Sequence, residues 1–157
     1  MSAYRFVGKF ITPIISETEI KEIEKALKSP IEPVRIHLEE ALKLMSDRKD
    51  PKYRNSIKES ISAVEAMCKV IANDEKATLG QALDVIGERI EIHPALRRAF
   101  SNLYGWTSSA DGIRHALLDE EVAVGFEDAK FMLVACSAFV NYLLEKARKA
   151  GIRLRRG

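Results

Sequence analysis

"EDAKFMLVACSAFVNYLLEKARKA", residues 127–150, is the stretch that decides the fold. Its apolar residues run almost without a break from Phe131 to Leu144. A run of that kind is too short to span a bilayer and is bounded by charges. Glu127 and Asp128 suit the positive end of a helix, and Arg148 and Lys149 its negative end. Gly151 makes a good C-terminal stop. A helix apolar on more than one side is the central member of a bundle, or is partly buried by a second chain; the two readings are compatible.

Working back from that helix, one amphipathic pattern follows another. Gly125 breaks the chain before it. Pro94 opens a helix with Leu96, Phe100 and Leu103, and Gly105 is expected to end it. Thr78 caps a shorter helix through Leu79, Leu83 and Ile86. Asp50-Pro51 reads as an N-cap and first turn opening a long helix with Ile57, Ile61, Val64, Cys68 and Ile71 on one side. Pro33 suits the first turn of a helix carrying Val34, Leu38, Ala41, Leu42 and Met45. Ser16 with Glu19 forms a capping-box pattern ahead of Ile20, Ile23 and Leu27, and Pro30 is expected to close that helix. "YRFVGKFITPI" alternates loosely around Gly8 and Pro13 and reads as an extended arm or short strand.

The expected architecture is therefore all-α: an antiparallel bundle of about six to seven helices with a short extended N-terminal arm. Its boundaries are an arm over 1–15, one helical domain over 16–151 and a basic tail over 152–157. The 157 residues suffice for one sizeable core. A net charge of +2 is too small to announce nucleic-acid binding by itself. Cys68 and Cys136 sit inside apolar helical patterns, as small hydrophobes. No signal peptide and no metal-ligand spacing stand out, so the expectation is a protein of the reducing cytoplasm with no metal, cofactor or membrane contact.

Two polar clusters carry the functional reading. In "SADGIRHALLDE", residues 109–120, Ile113, Ala116 and Leu117 share one helical side at ~100° per residue. Asp111, Arg114, His115 and Leu118 fall on the other, and Asp111 is within reach of both Arg114 and His115. Arginine grips phosphate oxygens through paired hydrogen bonds. Histidine moves a proton near neutrality, and an aspartate beside it orients the ring. RNA supplies its own nucleophile, the 2′-hydroxyl. The same trio also reads as a surface salt bridge with a spectator histidine. In "YRNSIKESISAVEAMCKVI", Arg54, Lys58 and Glu65 border the apolar stripe, with Asn55 and Lys69 further round. They read as a cleft lining or as snorkelling side chains with Lys58 weakly paired to Glu65. His37 reads as a helix-surface residue, and His93, before Pro94, as part of a helix entry.

These stretches, "YRNSIKESISAVEAMCKVI", "LYGWTSSADGIRHALLDE" and "FEDAKFMLVACSAFVNYLLEKARKAG", resemble the HEPN domain at the C-terminus of AbiJ-type abortive-infection proteins. The likeness runs from about Phe10 to Gly151, and "GIRHALLDE" with the downstream "DAKFMLVACSAFVNYL" is its most specific part. The resemblance implies a helical bundle, a homodimer whose polar motifs share one cleft, and a metal-independent ribonuclease of phage defence or a toxin–antitoxin stress response. It implies Arg114 and His115 at the site with Asp111 orienting them, and Arg54, Asn55 and Lys58 as RNA contacts. It also implies an antitoxin or an upstream sensor domain as further partners. The family's usual signature sets the histidine a few positions after the arginine; here the two are adjacent. A non-catalytic dimerisation or interaction module is the alternative that this spacing leaves open. Relatives often carry domains ahead of this part, so a stand-alone chain, a truncated gene and a fragment all remain open.

Overall fold

The computed structural model describes residues 4–12, 16–108 and 124–154. Among these lie a β-hairpin, β1 (Arg5–Val7) and β2 (Phe10–Thr12), and six helices. The helices are α1 (Glu17–Ala26), α2 (Glu32–Ser46), α3 (Tyr53–Ala72), α4 (Leu79–Arg89), α5 (Pro94–Ser108) and α6 (Phe126–Lys149). The protein is an all-α bundle with a short N-terminal arm, as the periodicity predicts.

Helix α6 is the axis of the bundle. It packs on α1, α2 and α3. Ala129, Met132, Leu133, Cys136, Phe139, Val140, Leu143 and Leu144 are all buried along it. Neighbours inside the bundle account for most of its apolar sides. Phe131 is the exception, at 57% exposure. The helix closes as the sequence predicts. Gly151 takes φ +71°, Gly151 N–H donates to the Arg148 carbonyl, and Ile152 N–H reaches the Ala147 carbonyl. This is the six-to-one and five-to-two pairing of a Schellman motif, with Ile152 laid on the core. The tail thus begins packed: Ile152 and Leu154 are both partly buried.

Helices α2 and α3 run antiparallel in a register that side chains fix. Lys52 N–H donates to the Leu44 carbonyl, Ser56 Oγ–H to the Ala41 carbonyl, and His37 Nδ1 lies 2.7 Å from Glu59 Oε2. As one number falls the other rises. Helix α3 ends like α6, but with Asn73 in the left-handed region at φ 56°, and Asp74 N–H reaching back to the Lys69 carbonyl. Asparagine is the side chain after glycine that visits this region most readily.

Helix entries depart from the sequence pattern in two places. Asp50-Pro51 does not cap α3, which starts at Tyr53 with Lys52 as N-cap. The organising acid is Asp47, whose Oδ1 accepts from the N–H groups of Lys49 and Asp50. Those backbone bonds, Asp50's first, hold its carboxyl below the usual range. Ser16 makes no side-chain cap on α1. Glu19 turns instead towards α6, where Lys130 lies 3.5 Å away. The Thr78 entry does match: Thr78 and Gln81 form a reciprocal capping box on α4. Two exits also differ. Helix α1 stops at Ala26 rather than at Pro30, unwinding through Lys28→Lys25 and Ser29→Ala26 backbone bonds. Helical geometry is disfavoured for the serine before a proline, so Ser29 is a limit that α1 does not reach. Helix α5 runs through Gly105 to Ser108. An interior glycine costs about 1 kcal/mol, and the burial of Tyr104 against α6 offsets it.

Two glycines test this backbone reading with one substitution. A Cβ at Gly80, in the first turn of α4, or at Gly151 meets nothing within 4 Å. Gly80→Ala should stabilise by about 0.5–1 kcal/mol, because helical alanine loses less entropy. Gly151→Ala should destabilise by about 1 kcal/mol, because an L side chain is strained at φ +71°. Denaturant titration of both variants reads the two signs.

Candidate functional site

The predicted RNA contacts lie on the first two turns of α3. Ser56, Ile57, Ser60 and Ile61 turn into the core. One turn apart on the outer side stand Arg54, half-buried, and Lys58, exposed. Asn55 is exposed beside them. Three donor-bearing side chains therefore share the N-terminal, positively polarised end of α3. The weak pair expected between Lys58 and Glu65 is not formed. Glu65 binds Lys69 instead, at 2.8 Å and one turn on. Lys58 supplies its backbone carbonyl to Ser62 Oγ–H at 2.9 Å.

Asp111, Arg114 and His115 lie outside the described residues. What is described is the chain on either side of them. Before them, α5 brings Tyr104 into the core, its ring stacked 5.5 Å from that of Phe139 on α6. Burial drives the Tyr104 hydroxyl far above its ordinary pKa. After them, α6 begins at Phe126, with Asp128 Oδ2 accepting from Gly125 N–H at 2.9 Å. The Phe126 ring meets that of Tyr53 edge to face, with centroids 6.2 Å apart. Tyr53 is the residue before Arg54. The chain leaving the segment of Asp111 and His115 thus enters α6 against the start of α3, where Arg54, Asn55 and Lys58 stand.

Sequence reading missed one arrangement here. His37 is not a free surface residue but half of a half-buried pair with Glu59. The carboxylate takes Nδ1, which fixes the ring and leaves Nε2 as its other proton-carrying position. Asn55 stands one turn before Glu59 on the same side of α3. No signal along the chain pairs residues 37 and 59; only the register of α2 against α3 brings them together. His93 acts as predicted, in a helix entry: its Nδ1 accepts from Ala95 N–H at 3.1 Å.

Two clefts among the described residues lie away from these side chains. One of about 960 Å³ is lined by Lys69, Asn73, Asp74, Arg89 and Arg153, among others. It opens at the far end of α3, roughly 22 Å along the axis from Arg54. Two of its charges serve the bundle: Lys69 pairs with Glu65, and Arg89 donates to the Ile71 carbonyl at the end of α3. The second, about 410 Å³, lies beneath the hairpin turn between Lys9, Phe10 and Leu27. Among the described residues no three His, Cys, Asp or Glu side chains gather where an ion could be held. Cys68 and Cys136 are buried thiols, pushed far up in pKa by that burial. No described helix is long and apolar enough to cross a membrane. Compared with known proteins, the chain matches no family model, no curated protein and no solved structure.

Proposed function

We propose that this protein is a HEPN-type RNA-binding protein and a metal-independent endoribonuclease of phage defence or a toxin–antitoxin stress response, working as a homodimer. His115 moves the proton, Arg114 stabilises the charge that gathers on phosphate, and Asp111 orients the histidine. Arg54, Asn55 and Lys58 hold the RNA backbone. The observation that carries this reading is the junction of Phe126 with Tyr53. It brings the chain that follows "GIRHALLDE" to the helix end where Arg54, Asn55 and Lys58 are displayed. The reading itself starts from the resemblance of both stretches to HEPN sequences.

The test compares purified wild type with His115→Ala on RNA in EDTA, alongside growth arrest on expression. Equal cleavage by the two proteins removes His115 from the mechanism. For the binding role, Lys58→Ala should weaken single-stranded RNA binding at every sequence. It should also lower the salt slope by about 0.7, the loss of one phosphate contact. Anisotropy titrations at several salt concentrations measure both.

One observation favours a second reading, a non-catalytic interaction module. Phe131, an aromatic residue on the central helix α6, stands 57% exposed. That reading predicts weaker self-association for Arg114→Ala by light scattering, and no RNA cut by any variant.

A further inference from the structure

The N-terminal hairpin buries one side and displays the other. Val7 and Thr12 face inward and are fully buried, with Thr12 Oγ1 2.8 Å from Ser46 Oγ at the end of α2. The register pairs Phe6 with Ile11 across the strands. Alternation turns this pair, and Tyr4 two residues before Phe6, outward. Phe6 is 70% exposed, Tyr4 52% and Ile11 40%. Burial of the inner side seats the hairpin, while Phe6 leaves most of its ring in solvent. Exposed aromatic rings on a two-stranded sheet are costly to leave in water and call for an occupant.

The surroundings of the rings identify its chemistry. Arg5, paired with Thr12, falls on the opposite side by the same alternation, its guanidinium donating to the Tyr4 carbonyl. The Arg48 guanidinium lies over the Tyr4 ring, 5.0 Å from its centroid. Lys9 lies 5.6 Å from the Phe10 centroid and 3.8 Å from Glu39, its partner on α2. The acids of the neighbouring turn are engaged: Asp47 by backbone N–H groups, Asp50 by Lys52 at 4.0 Å. Rings beside a guanidinium suit a strand that offers flat bases and phosphates together. An apolar protein partner would leave Arg48 desolvated without an acceptor.

Position supports the same conclusion. Arg48 belongs to the connection between α2 and α3, six residues before Arg54. At 3.3–3.6 Å per residue the two Cα atoms are at most ~20 Å apart. The hairpin rings and the polar end of α3 therefore flank one turn of the chain.

We infer that the outer side of the hairpin, Tyr4 and Phe6 with Arg48, is a stacking platform for single-stranded RNA that extends the phosphate contacts of Arg54 and Lys58. Each ring carries one unstacked base, and Arg48 holds an adjoining phosphate. The inference rests on the RNA reading above, and it adds a second contact region outside the catalytic trio.

The test uses the full chain and a fluorescein-labelled, mixed-sequence single-stranded RNA in EDTA, with His115→Ala as the parent so that the probe survives. Phe6→Ala should weaken binding about tenfold, the usual loss of one stacked base, while Phe6→Trp retains it. Arg48→Ala should lower the salt slope by about 0.7. Thermal melts should be unchanged for Phe6→Ala, whose ring touches no core. Strong binding by the parent with no change in Phe6→Ala would overturn the platform and leave the RNA reading standing. No binding by the parent would overturn both. Phe6→Ala that turns a dimer into a monomer at unchanged RNA affinity would overturn the platform, making this side a contact between copies. Tighter, Phe6-dependent binding to phosphatidylserine vesicles than to RNA would overturn it as well.

Discussion

Phe139→Ala should destabilise the protein by about 3–5 kcal/mol, the cost of emptying a filled aromatic site. Phe139 is almost fully buried at the middle of α6. Its ring centroid lies 3.7 Å from that of Phe100, 5.5 Å from Tyr104 and 6.1 Å from Tyr142. Phe100 and Tyr104 come from α5, so this one side chain ties α5 to the central helix. Removing it leaves Tyr104 facing a hole that its own rigid ring cannot fill. A domain of this size is stable by only ~5–15 kcal/mol. The loss should lower Tm by roughly 6–20 °C at 2–4 °C per kcal/mol. Phe139→Leu should recover much of it. Calorimetry on both variants measures the effect, and a loss below about 1 kcal/mol would mean that α5 is not anchored there.

The second large effect belongs to the chemistry. His115→Ala should slow RNA cleavage by about 10²–10⁴-fold, the usual worth of a positioned proton-transfer group. RNA affinity should stay within a few-fold, because the phosphate contacts assigned to Arg54 and Lys58 remain. A loss made only in the transition state lowers kcat and kcat/KM together. Lys58→Ala should do the opposite, raising KM with kcat nearly unchanged. His37→Ala is the informative companion, since His37 is paired with Glu59 of α3. Its cleavage should match that of wild type.

The helices were legible because each carries a 3.6-residue apolar period, and α6 announced its central place by being apolar on several sides. The positions of Arg54, Asn55 and Lys58 on α3 follow from the same period. Helix ends were less legible. Thr78 with Gln81 formed its capping box, while the similar pattern at Ser16 lost Glu19 to Lys130. The deciding bond there lies between α1 and α6, beyond the reach of any local pattern. The hairpin read only as an arm, because three-residue strands are held by Thr12 on Ser46 and by the turn at Gly8, φ 57°. The His37–Glu59 pair was invisible for a related reason: it depends on the register between two helices. The trio Asp111, Arg114 and His115 lies outside the described residues and rests on the sequence alone, in a stretch whose Arg–His spacing departs from the usual signature.

The most direct measurement is the chemistry of the cut ends. RNA incubated with the purified protein in EDTA, then analysed by mass spectrometry, should carry 2′,3′-cyclic phosphate and 5′-hydroxyl termini. Those ends form when the 2′-hydroxyl attacks its own phosphate, with His115 and Arg114 assisting. Intact RNA, or fragments ending in 3′-hydroxyl and 5′-phosphate, would contradict the proposed ribonuclease.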